Sequence, residues 1–221
     1  MSPEGTLRNR GGTRFDLIET MRWEPGTGFV RLERHLARLH ASATELGFSH
    51  DPNRIDSALR NAVVGHDKPL RVRLVLSADG EATASTQPYE PLPQYRVWDL
   101  RIASTRLHSG ERLLRHKTTW REAFVKARSE YHLHHADEVI LLNERGEVCE
   151  GTITNVFLDA GDGVLLTPPL ASGLLPGVLR AELLADGHAR EAVLGPDDLT
   201  EAESLFVGNS LRGLIPAKLT G

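Results

Sequence analysis

The chain has 221 residues, enough for one large domain or two small ones with a real core, and its 40% hydrophobic and 25% charged residues make an ordinary globular balance. A formal net charge of −4, with no long basic stretch, argues against nucleic acid as a partner, and no segment approaches the roughly 20 apolar residues of a membrane helix. A single cysteine, Cys149, excludes an internal disulfide framework, so a soluble cytoplasmic protein is expected.

Residues 1–14 are polar and Gly-rich and read as a flexible leader without the apolar stretch of a signal peptide. A strand is expected over Phe15–Trp23, then a turn at Pro25-Gly26-Thr27-Gly28 and a short strand at Phe29–Leu32. Leu36, Leu39, Ala43 and Leu46 recur at spacings of three and four, which predicts a helix over Glu33–Leu46 ended by Gly47. Asp51 as N-cap and Pro52 at the first position open a second helix to Val64. Leu70–Ser77 alternates Leu70, Val72, Leu74 and Leu76 against Arg71, Arg73 and Val75, the pattern of a half-buried strand.

The Pro-rich run Gln87–Pro93 is the expected linker, dividing a small domain at 15–86 from a larger one at 95–221, with 87–94 between them. Beyond it, strands are expected at Tyr95–Ala103 and Asp137–Leu142, with a helix over Thr119–His134 between them. Asn143–Glu147 reads as a hairpin turn leading into one strand over Val148–Leu158. A strand at Gly163–Thr167, a helix at Val178–Ala185, a short helix at Asp197–Ala202 and a final strand at Ser204–Val207 complete the reading.

Four segments carry candidate chemistry. Lys117, in Arg115-His116-Lys117-Thr118-Thr119, is a nucleophile only if its amine is kept neutral, and Arg115 and His116 are cations placed to do so; the plainer role is a surface lysine. Glu150 opens Gly151-Thr152-Ile153-Thr154-Asn155, where small and hydroxyl residues suit a backbone close to a ligand, or a solvent-facing hairpin edge. Leu175-Pro176-Gly177-Val178-Leu179-Arg180 leads into a helix whose free N–H groups suit a phosphate, or is an ordinary loop-to-helix junction. Gly208-Asn209-Ser210 offers a hydroxyl and amides for a second phosphate contact, or a turn. Arg38, one position before core-facing Leu39, is either solvated or turned inward as a fixed cation.

An amine, a carboxylate and two anion-binding turns in this order are the parts that hold a phosphorylated aldehyde, pyridoxal 5'-phosphate. His132, His134 and His135 cluster, but no Cys pair or HExxH pattern supports a metal. Serine-hydrolase elbows and P-loops are absent too.

From Phe15 to Ala217 these motifs, in this order, resemble the fold type IV (class IV) pyridoxal-phosphate enzymes, which include aminotransferases and 4-amino-4-deoxychorismate lyases. Leu17–Trp23, Arg115–Thr119 and Val207–Gly213 are most similar to the lyase members. The resemblance implies an α+β fold: a small α+β domain, a larger β-rich domain, and the cofactor in the cleft between them. It implies that Lys117 carries the cofactor covalently and shuttles protons, and that Glu150 binds the pyridine nitrogen. Arg38, Val178, Leu179 and Ser210 would bind the phosphate, and Leu175 would pack on the ring. Arg121 and Thr20 would be weaker, substrate-side candidates. It also implies a homodimer acting on a small-molecule amine.

The leading expectation is the lyase, releasing pyruvate and 4-aminobenzoate in the folate pathway. A class IV aminotransferase for a branched-chain or D-amino acid is the alternative, and a non-catalytic cofactor-binding member the third. Departures from the family pattern bear on the substrate. The leader is short for the usual Asp-Arg-Gly segment, Trp120 stands where lyases carry a polar residue, Glu122 replaces a tyrosine common in aminotransferases, and no Arg-x-His carboxylate trap is evident.

Overall fold

The structure is a computed structural model that describes residues 15–132, 134–159, 161 and 163–220; the leader expected at 1–14 lies outside the described residues. The chain divides into two compact units, one containing residues up to Glu90 together with His116–Trp120, the other Pro91–Arg115 with Arg121 onward.

The first unit is a four-stranded antiparallel sheet with two helices. The strands are β1 (Leu17–Glu24), β2 (Gly28–Phe29), β3 (Leu70–Leu76) and β4 (Ala82–Pro88), in the order β2-β1-β3-β4. Helix α1 (Leu32–Leu46) packs on β1, and α2 (Pro52–Val63) on β3 and β4. The expected caps form. Gly47 takes the left-handed conformation (φ 71°) that ends α1, and Asp51 accepts from the Asn53 N–H at 2.9 Å at the start of α2. Alternation on β3 is complete, with Leu70, Val72, Leu74 and Leu76 buried. They meet Met21, Leu39, Ala43 and Leu59 in the core of this unit.

Strand β4 is a finding that the sequence did not suggest. Its residues Ala-Thr-Ala-Ser-Thr-Gln-Pro carry no apolar alternation; it exists because β3 presents seven residues for pairing, from Leu70 opposite Pro88 to Leu76 opposite Ala82.

The second unit is an eight-stranded mixed sheet. Its strands are β5 (Trp98–Leu107), β6 (Glu138–Asn143), β7 (Val148–Gly151), β8 (Asn155–Asp159), β9 (Leu165–Thr167), β10 (Ala189–Glu191), β11 (Ser204–Asn209) and β12 (Gly213–Leu219). Their order is β10-β9-β8-β11-β12-β5-β6-β7. The helices are α3 (Glu122–Ser129), α4 (Val178–Ala185) and α5 (Pro196–Glu201). Two apolar clusters take up alternate residues of the sheet. Leu100, Ile140, Val156, Val207 and Ile215 belong to one, and Ala103, Val139, Leu141, Cys149 and Leu174 to the other. Strand β6 is therefore buried at every position, the mark of a central strand covered on both faces.

Three expectations for this unit are corrected. The helix expected over Thr119–His134 is only Glu122–Ser129. Its start is lost because residues 117–119 pair with β1 of the first unit. Its end is lost because Glu130 turns its carboxylate to the amides and hydroxyls of Ser104 and Thr105. The single strand expected over Val148–Leu158 is two strands, broken at Thr152–Thr154. Ser204–Val207 is not the final strand: β11 runs on to Asn209, and β12 follows it. Pro216 hid β12, since proline cannot donate to a ladder. Strand β12 pairs with β5 only from Ala217 onward, one residue past that proline.

Candidate functional site

In the first unit, the segment carrying Lys117 is built onto β1. The Ile18 N–H donates to the Lys117 carbonyl at 2.8 Å, the Thr119 N–H donates to the Asp16 carbonyl at 2.9 Å, and Leu17 and Thr118 form an antiparallel bridge. Strand β2 pairs only with Trp23 and Glu24, so the start of that edge of β1 is open to residues 117–119. His116 is buried and faces α1, its Nδ1 3.0 Å from the Ser42 hydroxyl and its Nε2 3.6 Å from the Glu45 carboxylate. Lys117 thus sits, half-buried, on a strap fastened on both sides. Arg115, expected as a neighbouring cation, is exposed.

The same unit holds a charged cluster that sequence reading missed. Glu19 on β1 is 1% exposed. Arg38 of α1 grips it with two points, Nε to Oε1 at 2.8 Å and Nη2 to Oε2 at 2.7 Å, and His35 Nδ1 lies 2.7 Å from Oε2. Burial alone would push the Glu19 carboxyl up. The Arg38 charge and the hydrogen bonds from His35 and Arg38 outweigh it and hold the group at about 2. Arg38 is turned inward rather than solvated, and two of its five N–H donors are committed to Glu19. His35 and Arg38 are three apart, one helical turn, which was the available signal for a shared partner. Thr20, half-buried, follows Glu19 and lies opposite Arg73.

In the second unit, four expected residues fall on connected elements. Glu150 near the end of β7 is 5% exposed, and its Oε1 accepts from the Leu175 N–H at 3.1 Å. The Leu175 carbonyl in turn accepts from Asn155 Nδ2 at 3.0 Å. That peptide leads to Gly177, the N-cap of α4, which has no side chain to cap the helix. A Cβ on Gly177 would lie 1.8 Å from Asn155 Oδ1, so only glycine permits this approach. Val178 and Leu179, buried, follow in the first turn, where backbone N–H groups lack intrahelical acceptors. Arg180 anchors the helix from within, donating to the Pro168 carbonyl at 2.7 Å and pairing with Glu191.

Ser210 follows β11 and is 7% exposed. Its turn is shaped by Asn209, whose Oδ1 accepts from the N–H groups of Leu211 (3.1 Å) and Arg212 (3.0 Å). Gly208 lets this strand reach α4, because a Cβ there would stand 2.9 Å from Leu179 Cδ2. Arg121, expected beside the substrate, donates to the Thr152 carbonyl and lies 4.4 Å over the Phe124 ring. Asn155 and Asn209 were not singled out from the sequence; an asparagine at a strand end reads as a turn residue until its partners are known.

This donor set suits pyridoxal phosphate chemically. A buried carboxylate is matched to a protonated ring nitrogen, and an uncapped helix start and a buried hydroxyl are each matched to a phosphate. Cys149, next to Glu150, is no nucleophile: burial and then the neighbouring carboxylates push its thiol far above the ordinary range. His132 stacks on His134 and meets His135 at a tilt, and among the described residues no group of three or more His, Cys, Asp or Glu side chains is placed to hold a metal ion. No described helix is long and apolar enough to cross a membrane.

Comparison with known proteins gives a consistent result. The model of the family described as amino-transferase class IV matches residues 16–219. A Schizosaccharomyces pombe protein provisionally named an aminodeoxychorismate lyase is 34% identical over 207 residues, 89% of this chain and 86% of that protein. A Thermotoga maritima protein named a branched-chain-amino-acid aminotransferase is 36% identical over 107 residues, 46% of this chain and 38% of its own length. The crystal structure of a Mesorhizobium loti protein provisionally named an amino-acid aminotransferase superposes with a TM-score of 0.92 and 64% identity, covering 93% of this chain and all of that one.

Proposed function

This chain belongs to the class IV aminotransferase family of pyridoxal-phosphate-dependent lyases and aminotransferases, and on that premise we propose that it is a 4-amino-4-deoxychorismate lyase, releasing pyruvate and 4-aminobenzoate. The observation that carries this reading is Glu122, which stands in place of the tyrosine common in aminotransferases. A relative with the lyase name aligns over 89% of the chain, which supports it, while the Mesorhizobium loti protein with an aminotransferase name covers 93%.

When bound, pyridoxal phosphate supplies an electron sink for the carbanion left by bond breaking at the amine-bearing carbon. The chain's residues supply the rest. Lys117 would be the residue that holds the cofactor covalently, and its amine when free would move protons as base and then acid. Glu150 holds the proton on the pyridine nitrogen. Arg38, the Val178 and Leu179 amides and Ser210 bind the phosphate, and Leu175 packs on the ring. Arg121 and Thr20 are assigned to the substrate side. The strap under Lys117 supports this reading, since a proton shuttle works only at fixed distance. The working form is taken as a cytoplasmic homodimer, to be checked by light scattering of the holoenzyme.

Aminodeoxychorismate incubated with the holoenzyme should yield pyruvate and 4-aminobenzoate in equal amounts, with no amino acceptor present. Lys117→Ala should lose turnover by at least the 10²–10⁴-fold typical of a positioned proton shuttle, and should lose all cofactor that borohydride can fix to the chain. Full activity in that variant would remove the mechanism. Transamination is the second reading, favoured by the 64% identity to a protein provisionally named an aminotransferase. It predicts no product without a keto acid, and amino-group transfer once one is added.

A further inference from the structure

Glu138 opens β6 with 1% of its surface exposed. Its Oε1 accepts from the Val139 N–H at 2.9 Å, the Thr152 N–H at 3.0 Å and the Thr152 hydroxyl at 2.5 Å. Its Oε2 accepts from the Ile153 N–H at 3.0 Å and the Thr154 hydroxyl at 2.9 Å. A carboxylate offers about four lone-pair sites and donates nothing, so this set of donors saturates it. All but the Val139 amide come from Thr152–Thr154, the residues that separate β7 from β8.

Further contacts clamp the same turn, and the Thr152 N–H is shared with the Val139 carbonyl at 3.1 Å. The Arg121 guanidinium donates to the Thr152 carbonyl, Asn209 Nδ2 donates to the Ile153 carbonyl at 3.2 Å, and the Gly151 N–H donates to the Thr154 carbonyl at 2.8 Å. Gly151 is required by this packing: a Cβ there would stand 2.4 Å from Thr154 Oγ1 and 2.8 Å from the Glu138 carboxyl carbon. The residue immediately before Gly151 is Glu150.

We propose that Glu138 is a positioning residue for Glu150: its carboxylate shapes the Gly151–Thr154 turn so that the Glu150 carboxylate is fixed for the cofactor's pyridine nitrogen. The inference rests on the role given to Glu150 above. Glu138 acts through neutral donors only and touches no reacting atom. Its neutral isostere would turn an amide N–H toward donors that need an acceptor, so Glu138→Gln loosens the turn while keeping its volume.

The test uses the apoprotein and two probes: pyridoxal phosphate, and its analogue with a carbon in place of the ring nitrogen. The wild type should prefer the natural cofactor by roughly tenfold, as suits one charge-assisted hydrogen bond. Glu150→Gln should erase that preference. Glu138→Gln should erase most of it while affinity for the analogue stays near wild type. The double variant should lose nothing beyond Glu150→Gln, because the two act in series. Thr154→Val, which removes one donor and keeps both carboxylates, should reduce the preference about threefold, and Thr154→Ser should restore it. Equal loss of affinity for both probes in Glu138→Gln and Thr154→Val, or additive loss of preference in the double variant, would make Glu138 a brace of the fold and overturn the inference. An undiminished preference in Glu150→Gln would overturn the role of Glu150 itself, and the inference with it.

Discussion

Glu19 and Glu138 are equally buried, at 1% exposure each, yet they are stabilised in different ways. Glu19 is matched by charge, with a two-point guanidinium and an imidazole. Glu138 is matched by neutral amides and hydroxyls gathered from one turn. A buried anion is tolerated in either setting, since what burial penalises is an unsatisfied group. The consequences differ. A charge pair ties two elements, β1 and α1, and responds to pH. A ring of neutral donors bends a single segment and breaks a strand in two.

The contrast can be broken by mutation. The largest effect is expected from Glu19→Ala, which leaves Arg38 without its two-point partner; urea unfolding should show a loss of about 3–5 kcal/mol. Glu138→Ala should cost less, about 2–3 kcal/mol, because its donors are neutral and Ile153 is half open to water, which can reach the turn. The reverse ranking would dissolve the distinction.

Gly151→Ala should cost about 1–3 kcal/mol by overlap with the Thr154 hydroxyl and the Glu138 carboxyl, and a matching Thr154→Ala or Glu138→Asp change should recover part of it. An acid titration sharpens the other arm. The Glu19 carboxyl lies at about 2 when folded, against an ordinary 4.5, so between these values the unfolded chain binds the extra proton. Its contribution is therefore whole above about pH 5 and drains as pH falls toward 2. Glu19→Gln should flatten stability across that window. The smallest effect is a null one: Cys149, with its buried thiol pushed up, should not react with thiol reagents at pH 8 until the protein unfolds.

Local signals were readable where one element satisfies itself. The leucine spacing and Gly47 of α1, Asp51 and Pro52 at α2, and the alternation of β3 all record interactions within a few residues. Helix α4 has the expected bounds for the same reason. The candidate site was legible as a list of chemical groups, Lys117, Glu150, the Gly177 turn and Ser210. What holds them was not. Glu19 and Glu138 lie in strands, where a glutamate looks like an outward-facing residue until its partners are known. The break at Thr152–Thr154 likewise has no local cause, since Thr-Ile-Thr is good strand sequence.

By itself, the amino-acid sequence determined where α1, α2 and α4 form and which reactive groups the protein carries in which order, but not the ends of α3. The three-dimensional fold alone decided which carboxylate is charge-paired, which is ringed by neutral donors, and where strands break or gain a neighbour. The physical reason is range: capping and periodicity act within a turn or two, whereas the cost of burying a charge is settled by partners such as Arg38 for Glu19 and Thr152 for Glu138, brought in from another element.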